Sequence, residues 1–146
     1  MDHAPLAAAE AFHAPGAVLR VSPLGSGNVN DTFLVETQAG SVVLQRLNTA
    51  VFPCPEQVMR NLQTVEAHIQ RKEPSPGVSR WEHPRLVTPA DGRDEPWYCC
   101  AEGGVWRCMS FIENARSVDR IEDAEQAYQL GLGLGRFHHL ISDLPP

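Results

Sequence analysis

The spacing of apolar positions changes several times along the chain, and each change marks an element. Residues 6–12 are alanine-rich without a breaker and predict a short helix, ended by Pro15-Gly16. From residue 17 to 23 the period drops to two: Val18, Arg20 and Ser22 alternate against Leu19 and Val21. A second strand is expected over 32–37, with Phe33 and Val35 on one face, and a third over 41–47. The turn clusters Gly25-Ser26-Gly27-Asn28 and Gln38-Ala39-Gly40 separate them, so the three strands predict an antiparallel meander.

The period lengthens over 53–72. Val58, Leu62, Val65 and Ile69 form one helical apolar stripe, with Pro55 suited to the first turn and Glu56 to the positive helix end. The breaker run Glu73-Pro74-Ser75-Pro76-Gly77 stops this helix. Short strands are then expected over 85–88, 97–101 and 105–112, the last two joined at Gly103-Gly104. A final helix, capped by Ser117 or Asp119, runs to about His139. The order predicts an α+β fold: an antiparallel sheet of about five strands, an inserted helix and a C-terminal helix. Residues 1–146 are expected to form a single domain, with an N-terminal helix (1–16), a sheet with its inserted helix (17–113), and a linker with a closing helix (114–146).

Composition narrows the function classes. The chain has 42% hydrophobic and 21% charged residues, within the globular range, and a net charge of −6. Nothing forms the basic face of a nucleic-acid binder, and no apolar run approaches a membrane span. The start lacks a basic signal-peptide region, so a cytoplasmic location is expected. Cys54, Cys99, Cys100 and Cys108 lack zinc or redox spacing and read as reduced thiols. His138-His139 are adjacent on a helix, about 100° apart, and cannot easily chelate one ion.

The residues with chemical potential lie around the sheet. Gly25, Ser26, Gly27, Asn28 and Asn30 form a glycine-rich hairpin whose backbone N–H groups could cradle an anion. An ordinary turn uses the same residues. No Gly-Lys-Ser/Thr follows, and Asn30 stands where a third fingerprint glycine would fall, so neither a P-loop nor a dinucleotide motif is present. Gly131-Leu132-Gly133-Leu134-Gly135 continues a helical pattern, with Gly131 and Gly135 on one face suited to close packing. In the third strand, Arg46 is the candidate cation for phosphates, because the only lysine is Lys72, at the end of the next helix. Gln45 faces the other way, so a one-residue slip would reverse the assignment. Glu66 flanks the helical stripe and could orient a cation or sit in solvent. Ser110, Phe111, Ile112 and Glu113 pass from strand to linker, where free backbone groups could pair with a base edge or simply end the strand.

The runs G-S-G-N-V-N-D-T-F-L-V, V-L-Q-R-L-N, V-F-P-C-P-E-Q-V-M-R-N-L-Q-T-V-E-A-H-I and W-R-C-M-S-F-I-E-N-A-R-S, followed by G-R-F-H-H-L, resemble the N-terminal lobe of aminoglycoside-phosphotransferase and choline-kinase-like small-molecule kinases. The likeness is greatest to the N-acetylhexosamine 1-kinase branch and covers about residues 17 to 146. The resemblance implies a protein-kinase-like N-lobe that binds ATP with magnesium, the hairpin over the phosphates, Arg46 in contact with them, and Ser110–Glu113 at the adenine. From charge and hydropathy, no partner among nucleic acids or membranes is expected. The small-molecule acceptor and the magnesium would be held by a second lobe.

Phosphoryl transfer also needs an Asp beside the acceptor hydroxyl and Asp/Asn metal ligands. The family's H-x-D-x-x-x-x-N loop does not occur here: His138-His139 is followed by Leu140-Ile141. The chain is therefore expected to be inactive alone, as a fragment of a kinase. The alternative is a stand-alone, non-catalytic module binding nucleotide or protein.

Overall fold

In a computed structural model of the chain, the described residues are 4–25, 27, 29–72, 82–101, 103–115, 118 and 120–145. They form helix α1 (Ala4–Glu10), strands β1 (Val18–Pro23), β2 (Asp31–Thr37) and β3 (Gly40–Arg46), helix α2 (Pro55–Lys72), strands β4 (Leu86–Val87), β5 (Tyr98–Cys99) and β6 (Val105–Ser110), and helix α3 (Ala124–Ile141). The fold is α+β, with a six-stranded antiparallel sheet. β1, β2 and β3 are the expected meander, β6 pairs with the free edge of β3, and β4 and β5 pair with the other edge of β6. The ladders of 85–88, 97–101 and 105–112 are shorter than expected, because 88–96 is largely polar turn and β6 leaves its partners after Ser110.

The chain divides into two compact units, one of residues 1–63 and 82–112, the other of 64–81 and 113–146. In the first, one sheet face is sealed. Val35, Val42, Leu44, Trp106 and Cys108 are buried on it beneath Ala8, Ala9 and Phe12, with Phe33, Val18 and Val21 packed at the margin. Alternation alone places Val18 and Val21 on opposite faces. A register shift between Val18 and Arg20 brings both inward and leaves Leu19 65% exposed, the usual work of a β-bulge. α1 begins and ends earlier than expected because Phe12 leaves the helix to bridge Pro89. His13 N donates to Thr88 O (2.9 Å) and Ala90 N to Ala11 O (2.8 Å), fastening the helix exit across the sheet.

On the opposite face, the start of α2 packs at one end of the sheet: Met59 and Leu62 meet Leu47, Trp97, Val105 and Leu86. The buried stripe keeps part of the expected one and adds Met59. Ile69 of that stripe is buried, as is Met59 beside it, whereas Val58, Leu62 and Val65 are half-buried.

In the second unit, α3 begins at Ala124, and Asp123 caps it by accepting from Gln126 N (2.8 Å). The expected caps Ser117 and Asp119 lie outside the described residues, as does the 73–77 breaker. The glycine run lies inside α3. A Cβ added at Gly131, Gly133 or Gly135 would meet nothing within 4 Å, so the close packing expected of them is not made among the described residues. The last turn of α2 is tied to the chain after α3. Lys72 Nζ donates to Leu140 O (2.7 Å) and to Asp143 Oδ1, while buried His68 places Nε2 3.0 Å from the same carboxylate. Arg71 Nη2 lies 3.4 Å from His68 Nδ1, so that nitrogen accepts and Nε2 carries the proton toward Asp143.

Leu44 is fully buried in the sealed face, so Leu44→Ala should cost about 2–5 kcal/mol in urea unfolding; a loss under about 1 kcal/mol would show that this core is not packed as described. The hydrogen bond from Lys72, then that from His68, lowers the Asp143 carboxyl to about 2. Its folded value lies below the unfolded 3.8, so the tether is complete above that value and fades as pH falls toward 2. NMR titration of the carboxyl carbon should show the low midpoint; one near 3.8 would remove the tether.

Candidate functional site

The β1–β2 hairpin is closed by Leu24 N donating to Thr32 O (2.9 Å). Gly25 has φ +71°, in the region that favours glycine, and both Gly25 and Gly27 are exposed. Ser26 and Asn28 lie outside the described residues. Asn30 serves the fold here. Its Oδ1 accepts from Asn48 N (3.0 Å), and Asn48 Oδ1 in turn accepts from Ala50 N (3.0 Å). The hairpin is thus pinned to the segment leaving β3.

Arg46 ends β3 opposite Asp31 of β2 and Trp106 of β6. Its guanidinium carbon is 6.0 Å from the Trp106 ring centre, at the outer limit of a cation–π contact. It has no carboxylate partner among the described residues of its unit. Arg46, Asp31, Val29, Asn48, Gly103 and Gly104 line a cavity of about 280 Å³. A cavity of this volume has room for a phosphate group.

At the far end of β6, Ser110 is engaged by Arg85: Ser110 N donates to Arg85 O (2.8 Å) and Arg85 N to Ser110 Oγ (2.9 Å). The ladder registers end at Ser110, and Phe111, Ile112 and Glu113 continue outside any strand. Phe111 and Ile112 are half-buried, and the first compact unit ends at Ile112. Glu66 lies on α2 in the second unit, where its Oε1 accepts from Gln70 Nε2 at 3.4 Å.

Gln45 and Arg46 lie on opposite faces, as the strand period requires. The partner of Gln45 does not stand out in the sequence. Arg107 sits directly across from it on β6, and Arg107 Nε and Nη2 both donate to Gln45 Oε1 (2.9 and 2.7 Å). Gln45 Nε2 passes the chain on to Thr32 Oγ1 (3.0 Å). Burial pushes the Arg107 guanidinium below the ordinary arginine value. The signal that could reveal it is the strand register: an arginine within an apolar strand, just after the Gly-Gly turn, must face the same side as Gln45 once β3 and β6 pair.

Among the described residues no group of three or more His, Cys, Asp or Glu is arranged to hold a metal ion. No helix among them is long and apolar enough to cross a membrane. The cysteines are unpaired, and burial raises the Cys108 thiol to about 12, which keeps it inert. No family model matches the chain.

The Gly-Gly turn sets the cavity wall. A Cβ on Gly104 would stand 3.0 Å from Trp106 Nε1, 3.0 Å from Cys100 Sγ and 3.4 Å from Arg46 Nε. Gly104→Ala should therefore cost about 1–3 kcal/mol in urea unfolding, and an unchanged midpoint would mean that the wall yields freely.

Proposed function

We propose that the chain is the nucleotide-binding lobe of an ATP-dependent small-molecule phosphotransferase of the aminoglycoside-phosphotransferase type, with a sugar of the N-acetylhexosamine kind as acceptor. The order of elements carries the reading. A glycine hairpin joins β1 to β2, β3 follows with a cationic end, α2 is inserted after β3, and β6 lies beside β3 before the chain crosses into the second unit at residue 113. This order agrees with the protein-kinase-like N-lobe that the sequence resemblance implies.

In this reading the Gly25–Asn30 hairpin, with Gly25 and Gly27 exposed, covers phosphates with backbone donors, and its tether through Asn30 and Asn48 holds it at the end of β3. Phe111–Glu113, off the ladder, offer backbone groups to the base. These elements bind and orient. No group of three or more His, Cys, Asp or Glu that could hold a metal occurs among the described residues, no step is assigned to a metal here, and a catalytic Asp within an H-x-D-x-x-x-x-N loop is not among these 146 residues.

Titration of the ¹⁵N-labelled chain with ATP should shift the amide resonances of Gly25, Gly27, Ile112 and Glu113, with no turnover of ATP and an N-acetylhexosamine. Adenosine should shift the 111–113 group and leave Gly25 and Gly27 unmoved. A chain indifferent to ATP up to several millimolar, or phosphoryl transfer by the chain alone, would refute this reading.

A further inference from the structure

The sheet face opposite α1 is only partly covered. Thr32, Leu34, Val43, Gln45, Arg107 and Met109 share it by register and are all half-buried, in contrast to the sealed residues between them. Three of the six are apolar. At their edge, Arg107 holds a full positive charge, since arginine stays protonated in proteins. No carboxylate pairs with it among the described residues; its only side-chain partner there is the neutral carbonyl oxygen of Gln45. A partly desolvated charge compensated by one amide dipole is costly to hold. Structural arginines in such places normally have a carboxylate beside them.

The fork geometry says where a counter-ion would bind. Of the five guanidinium N–H groups, two are given to Gln45, which leaves three directed away from it. Gln45 is itself held by Thr32, so the row Thr32–Gln45–Arg107 fixes the guanidinium across three adjacent strands. The remaining edge offers two parallel N–H donors, which match two oxygens of a phosphate as they would those of a carboxylate, and the function proposed above selects the phosphate. The apolar neighbours Leu34, Val43 and Met109 provide a surface for a flat ring beside it.

We propose that Arg107, positioned by Gln45, is the guanidinium that holds the phosphates of the bound nucleotide, on the half-open sheet face rather than in the Arg46 cavity. The choice of nucleotide as the phosphate's bearer rests on the function proposed above; the anion site rests on the geometry of this row. The third strand's cation is thereby replaced by one from the neighbouring strand, opposite Gln45 in the ladder.

The test uses the intact chain, labelled to observe arginine Nε–H resonances, with sodium pyrophosphate and with ATP as probes. Both should shift the Arg107 Nε–H signal, together with the amides of Thr32 and Gln45. Arg107→Gln should raise the Kd for ATP at least tenfold, Arg107→Lys should restore part of it, and Arg20→Gln, at the Glu36-paired arginine, should change it less than twofold. The signal in the unsubstituted chain needs no variant to fold. An Arg107 resonance unmoved by both probes overturns the proposal, as does a loss of ATP affinity on Arg46→Gln but not on Arg107→Gln. If ATP binds while Arg107 stays unmoved, the nucleotide reading survives without this site. If pyrophosphate moves Arg107 but ATP binds no tighter, the anion site stands and the nucleotide reading fails.

Discussion

The pairing of β3 with β2 on one side and β6 on the other is the constraint on which the first unit depends. A central strand has two faces whose side chains alternate, and here the faces have opposite characters. Val42 and Leu44 point into a face closed by α1, where Trp106 and Cys108 complete an apolar layer. Val43 and Gln45 point to the opposite face, where the start of α2 gives cover at the Leu47–Val105 end. Burial on the first face supplies hydrophobic stabilisation, on the order of 1.5–3 kcal/mol for each large side chain removed from water. That anchoring lets the second face carry polar and charged groups.

Those polar groups follow from register. Gln45, opposite both Thr32 and Arg107, accepts from the guanidinium and donates to the Thr32 hydroxyl at once. A lysine at position 45 would place two cations side by side across the ladder, where like charges are destabilising. A glutamate there would neutralise Arg107 internally and leave nothing for an anion. An amide orients the arginine without cancelling it, so residue 45 and residue 107 are best understood as one device divided between two strands.

Much of this architecture is legible in the chain. The helix–strand order, the β1–β3 meander and the inserted α2 all follow from period changes and breaker clusters, because tight turns and strong periodicity are local signals. What is not legible depends on distant partners. The bulge that turns Val18 inward answers to β2, and the burial of Met59 answers to the surface that it enters. Arg107 is hidden for the same reason. Its neighbours in sequence, Trp106 and Cys108, mark a buried strand; only the pairing of β6 with β3 shows that the residue between them meets Gln45.

Arg46 is the converse, a residue conspicuous in sequence whose setting is modest. It is exposed, lies at the edge of cation–π range from Trp106, and lines a cavity of about 280 Å³. A charge in open water gains little from an anion, since the high dielectric weakens the attraction and salt screens it. A half-buried guanidinium gains more from the same anion, because part of its hydration has already been given up on folding. Between two arginines one strand apart, the less exposed one is therefore the better phosphate grip, provided its orientation is fixed beforehand, and the Gln45–Thr32 row fixes it.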